Sequence, residues 1–132
     1  MTLRRTLMTI TDIGMLLYWS LTILMVTKLV DIPSEWLFKN YDDPQIIAWN
    51  WSFFPIDILL SVTGLVALKL EKNGNQLWRA WALVSLTLTV CAGLMAISFW
   101  AFVGDFDIAW WLPNLFLMLW PLPFIFKLST DA

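Results

Sequence analysis

The chain has 132 residues, 60% of them hydrophobic and 14% charged, with a formal net charge of −2, and an apolar fraction this high belongs to the membrane class. The absence of histidine and the single cysteine, Cys91, exclude histidine-dependent triads, Cys/His zinc sites, disulfides within one chain and CxxC redox chemistry. With no basic run to follow a phosphate backbone, no nucleic-acid partner is expected.

Arg4 and Arg5 precede an apolar run from Ile10 to about Val30. The run is too long for a signal-peptide core and lacks a small-x-small cleavage pattern, so a membrane-anchoring helix is expected over 10–30. Asp12 near its inner end reads as a first-turn carboxylate paired with a nearby Arg or Lys. Residues 31–45 form the one long connection, in which Pro33 and Pro44 bracket Ser34–Phe38. That segment reads as a short capped helix lying on the membrane surface. Asp42 and Asp43 read as cap or turn residues of the following helix, expected over 46–70, where Pro55 removes a backbone hydrogen bond two residues before Asp57.

The tight polar turn at 71–76 makes the second and third helices antiparallel neighbours. The third is expected over 77–103, with Ser85, Thr89, Ala92 and Ala96 as a small-residue packing face. Gly104-Asp105-Phe106-Asp107 then turns into a fourth helix over 108–126, which contains Pro113, Asn114, Pro121 and Pro123. The fold class is therefore all-α, an integral membrane four-helix bundle with a short interfacial helix between helices 1 and 2, making one transmembrane domain over 1–132. Arg4, Arg5, Lys69, Lys72, Arg79 and Lys127 collect at one face, and only Lys28 and Lys39 at the other. The positive-inside rule then puts both termini in the cytoplasm of a multi-pass cell-membrane protein. Ile47-Ala48-Trp49 and Ile108-Ala109-Trp110 each follow an acid and a turn, which reads as two helices that start at one interface and both carry tryptophan.

Asp57 is the residue around which a function can be argued. On a helix, Asn50, Phe54, Asp57, Ser61 and Gly64 share one face, so polar and small groups form a stripe that must look at protein or water. An acid at the centre of a spanning helix costs about 2.5–3.5 kcal/mol on insertion scales and points to a functional site. Counting inward from the outer rim puts Asn50 and Asn114 at similar depth, with Asp57 and Trp19 nearer the midplane. The expected pocket is lined by Asp57, Asn50, Asn114, Tyr18, Trp19, Trp49 and Trp51. Paired acids at Asp42-Asp43 and Asp105-x-Asp107 read as solvated or capping groups, so no metal site is expected.

Several stretches carry a resemblance: Thr11-Asp12-Ile13-Gly14 with Tyr18-Trp19, Ala48-Trp49-Asn50-Trp51-Ser52-Phe53, and Gly104-Asp105-Phe106-Asp107 with Trp111 and Pro113-Asn114-Leu115-Phe116. The chain resembles the YvaD-like group of small four-helix bacterial membrane proteins. The resemblance implies membrane location and four helices. The group has no assigned activity, so no catalytic residue is implied.

Three functions suit the expected pocket. The leading one is binding of a lipophilic or cationic small molecule against a carboxylate and tryptophan faces, with proton-coupled export by a homo-oligomer as its dynamic version. The second is an isoprenoid- or sterol-type cyclase or isomerase with Asp57 as general acid and Trp19, Trp49 and Trp51 stabilising a carbocation. The third is a non-catalytic membrane subunit or immunity-type protein. None requires a cofactor, and the constant partner is the lipid bilayer. Against all three stands an Asp57 that is bonded internally and serves only helix packing.

Overall fold

The computed structural model describes residues 2–29, 31, 33 and 42–131. The interfacial helix expected at Ser34–Phe38, together with Lys39, lies outside the described residues.

The first helix, α1 (Leu3–Val26), begins at Leu3 rather than near Ile10, because Thr2 is its N-cap and accepts a hydrogen bond from the Arg5 backbone N–H at 3.3 Å. Nothing between Thr2 and Asp12 breaks a helix, so the polar first turns extend the apolar span outward. α2 (Pro44–Lys72) starts with Asp43 accepting from the Gln45 N–H at 2.9 Å and with Pro44 in the first turn, where its missing N–H costs nothing. The helix passes through Pro55 without interruption. α3 (Trp78–Val103) ends at Gly104, whose φ of 87° lets the chain reverse into the next span.

The fourth span divides into α4 (Ile108–Leu119) and α5 (Pro121–Thr130). Pro121 and Pro123 lack the N–H groups that would bond the carbonyls of Leu117 and Leu119, and this interrupts the helical ladder next to Trp120. The backbone at Trp120 keeps helical angles, so Ile108–Thr130 still runs as one apolar segment.

Leu3–Val26, Pro44–Lys72, Trp78–Val103 and Ile108–Thr130 are each long and apolar enough to cross a membrane. Their outward surfaces match that solvent: Ile10, Leu17, Phe102, Leu112 and Phe126 are all exposed. α1 packs mainly on α2, α2 on α3, and α3 on both α4 and α5.

The expected small-residue face of α3 is the seam of the bundle, with Ser85, Thr89, Ala92 and Ala96 all buried. Ser85 Oγ donates to the Leu60 carbonyl of α2 at 2.7 Å. At Gly93, a Cβ would stand 2.6 Å from the Asn114 carbonyl oxygen and 2.7 Å from the Met118 nitrogen, so α4 can lie this close to α3 only because the position is glycine.

One end of the bundle is solid. Met8, Ala67, Ala82, Leu86, Trp120 and Leu128 form a continuous apolar core there. At the same end Arg4 and Arg5 both pair with Glu71, at 2.5 and 2.6 Å, and Arg79 Nη1 donates to the Asp131 carbonyl at 2.8 Å. These contacts tie the start of α1 to the end of α2, and the start of α3 to the end of α5. Toward the other end the interior opens.

Candidate functional site

The opening is a cavity of about 250 Å³ in the half of the bundle away from the paired arginines. It exists because α1 and α4 flank the α2–α3 pair without packing on each other through a continuous face. Its polar wall is made by Tyr18, Trp19, Asn50, Asp57 and Asn114, and Phe53, Trp110 and Leu117 are among its apolar residues.

Asp57 reaches the cavity from the buried stripe of α2, on which Asn50 and Ser61 are also buried, one turn or two away. One of its oxygens, Oδ2, accepts from the Trp19 indole N–H at 2.8 Å across the α1–α2 interface. The other, Oδ1, is buried without a hydrogen-bond partner among the described residues. Leaving such an oxygen unsatisfied costs about 1–3 kcal/mol, and the residue that bears it lines the hollow. No internal bond from Asp57 to Asn50 or Tyr18 is formed; those two bond each other, Asn50 Nδ2 donating to Tyr18 Oη at 3.4 Å.

Trp19 is held by its neighbours as well as by the acid. Tyr18 and Phe54 meet it edge-on and Trp51 lies tilted against it, each with ring centroids 5.1 Å away. Asn114, on α4, donates from Nδ2 to the Trp110 carbonyl at 2.9 Å, which leaves its side-chain oxygen free to serve the cavity.

The structure therefore brings together Tyr18, Trp19, Asn50, Asp57 and Asn114 of the expected set and separates Trp49 and Trp51 from it. Trp49 stacks on Phe99 at 4.3 Å and also meets Trp100 and Trp110, forming an aromatic cluster between α2, α3 and α4. Trp51 backs Trp19 instead of facing the hollow. Position along a helix does not fix which way a side chain points around it, so Trp49 and Trp51 can share a helix with Asp57 and still face elsewhere. The Ile-Ala-Trp echo has a structural counterpart. Asp43 and Asp107 both cap their helices, Asp107 accepting from the Ala109 N–H at 2.9 Å, and the two following tryptophans, Trp49 and Trp110, meet at 5.9 Å.

Sequence reasoning missed a second interior acid. Asp12 is not in the first turn of α1 and pairs with no arginine; Arg4 and Arg5 are taken by Glu71. It is 1% exposed, and its Oδ2 is buried without a partner among the described residues. It sits where Gly64 of α2 leaves room: a Cβ there would overlap Asp12 Oδ2 and stand 2.7 Å from Ser85 Oγ. On the α2 stripe, between Asp57 and Gly64, lies Ser61, 0% exposed, its Oγ also without a partner among the described residues. Thr2 as a capping residue was the available signal that Asp12 lies inside the helix.

Four apolar spans around an interior that carries acids define a class, the small multi-pass helical membrane protein. The chain belongs to a family of unknown function (DUF5360), which matches residues 4–132. It is 50% identical over 123 residues to the uncharacterised protein YvaD of Bacillus subtilis (strain 168), a match that covers 93% of this chain and 89% of that protein. No solved structure matches the chain.

Proposed function

We propose that the protein binds a compact, lipophilic cation in the cavity beside Asp57. The observation that carries this reading is that Asp57, which lines the cavity, has one carboxylate oxygen, Oδ1, buried with no hydrogen-bond partner among the described residues. A cationic guest would supply the missing interaction, and the aromatic groups of Tyr18, Phe53 and Trp110 suit a positive charge that carries hydrocarbon. A volume of about 250 Å³ falls just below the usual range of roughly 300–1,000 Å³ for drug-sized sites, so a small ammonium-type group suits it better than a polycyclic substrate. Carbocation chemistry has less support, because Trp49 and Trp51 turn away from the hollow.

Proton-coupled export of such a cation is the second reading, and one observation favours it. Asp57, Ser61 and Asp12 place along the α1–α2 interface three buried oxygens that have no partner among the described residues. Asp57 and the Asp12 partner position Gly64 are seven residues apart on α2, or about 10 Å along its axis. Waters bridging these oxygens would carry a proton from the cavity toward the solid end of the bundle while Asp57 exchanges it for the guest.

The test uses the full chain in nanodiscs with tetraethylammonium as probe, read by tryptophan fluorescence. Binding should saturate, and Asp57→Asn should weaken it about tenfold or more, as expected when the Coulomb attraction between a quaternary ammonium and a poorly solvated carboxylate is lost. Equal affinity in the two proteins would falsify the binding reading. For export, Asp12→Asn in liposomes should leave tetraethylammonium affinity unchanged while slowing its proton-driven efflux; efflux at the native rate would reject the relay.

A further inference from the structure

At the solid end of the bundle a second recess, of about 390 Å³, lies between the starts of α1 and α3 and the end of α5. Arg4, Arg79 and Lys127 line it, and Asp131 is the one acid among its described lining residues. Arg4 and Arg5 share a single carboxylate, Glu71, so their ion pairs leave one positive charge over. Arg79 donates to a neutral acceptor, the Asp131 carbonyl, and exposed Lys127 makes no ion pair among the described residues.

The Trp78 ring lies 4.7 Å from the Arg4 guanidinium and 5.4 Å from that of Arg79. One indole thus holds two cations near each other where repulsion alone would part them. Below the charges, Trp78, Phe124 and Leu128 give the recess an apolar wall.

A surplus of positive charge over an apolar wall, at the level where four spans leave the bilayer, suits an anion attached to hydrocarbon. Guanidinium forks match the paired oxygens of phosphate, and basic pockets between spanning helices hold anionic headgroups. We propose that this recess binds an anionic phosphate group at the membrane surface, one with no cation of its own beside it, and its apolar wall favours a phospholipid headgroup as the source.

The full chain would be released from nanodiscs containing equal parts phosphatidylglycerol and phosphatidylcholine, and its retained lipid read by native mass spectrometry. The wild type should retain phosphatidylglycerol preferentially, and Arg79→Gln with Lys127→Gln should reduce that preference about tenfold or more. Lys69→Gln with Lys72→Gln removes the same charge from exposed residues outside the recess and should leave the preference intact. Lys127→Gln alone, at an exposed position that leaves the core untouched, should give a partial loss. A millimolar inorganic phosphate arm separates the sources: displacement of the lipid assigns the site to free phosphate, and persistence assigns it to the headgroup. Equal retention of both lipids by the wild type, or equal loss in the two double variants, would overturn the proposal.

Discussion

Asp57 and Trp19 each answer a need of the other, since a buried carboxylate oxygen and a buried indole N–H would both be unsatisfied alone. That coupling is measurable. Trp19→Phe keeps most of the ring packing but strips Asp57 of its one partner, and should destabilise the protein by about 1–3 kcal/mol in thermal unfolding in detergent. In an Asp57→Leu background the same change should cost clearly less, because no carboxylate remains to be orphaned. An equal cost in both backgrounds would mean that the indole is retained for packing alone.

At the scale of the helices, three glycines separate close approach from mere tolerance. A Cβ at Gly93 meets the backbone of α4, which cannot rotate away, whereas a Cβ at Gly64 meets the side-chain ends of Asp12 and Ser85, which can. Gly93→Ala should therefore cost about 1–3 kcal/mol and push α4 outward, with Gly64→Ala less damaging and largely rescued by Asp12→Ala. Gly14 has nothing within 4 Å of its Cβ position, so Gly14→Ala should be neutral or stabilising by up to about 1 kcal/mol through helix propensity. Thermal midpoints falling in any other order would contradict this account of the α2–α3–α4 packing.

For the molecule as a whole, the ion pairs of Glu71 and the Arg79–Asp131 bond gather the start of α1, the α2–α3 turn and the end of α5 at one end, where the cationic residues also collect. We propose, on the positive-inside rule, that this end faces the cytoplasm. In a Cys91→Ala background, a membrane-impermeant maleimide applied to intact cells should label Leu29→Cys and spare Asn75→Cys, both at exposed positions; labelling reversed between the two would invert the orientation.

The sequence by itself determined the four spans, the small-residue face of α3, the cap-or-turn role of Asp43, and the buried stripe of α2 that carries Asn50 and Asp57. Each follows from local rules: apolar length against bilayer thickness, helical periodicity, and the hydrogen-bonding needs of helix ends. Only the tertiary structure decided that Trp19 donates to Asp57, that Trp49 and Trp51 look elsewhere, and that Asp12 lies opposite Gly64 inside the bundle. Those facts depend on the rotation of each helix about its axis and on how closely neighbouring helices approach. Rotation and approach are set by side chains far apart in the chain meeting across an interface, which no local pattern records.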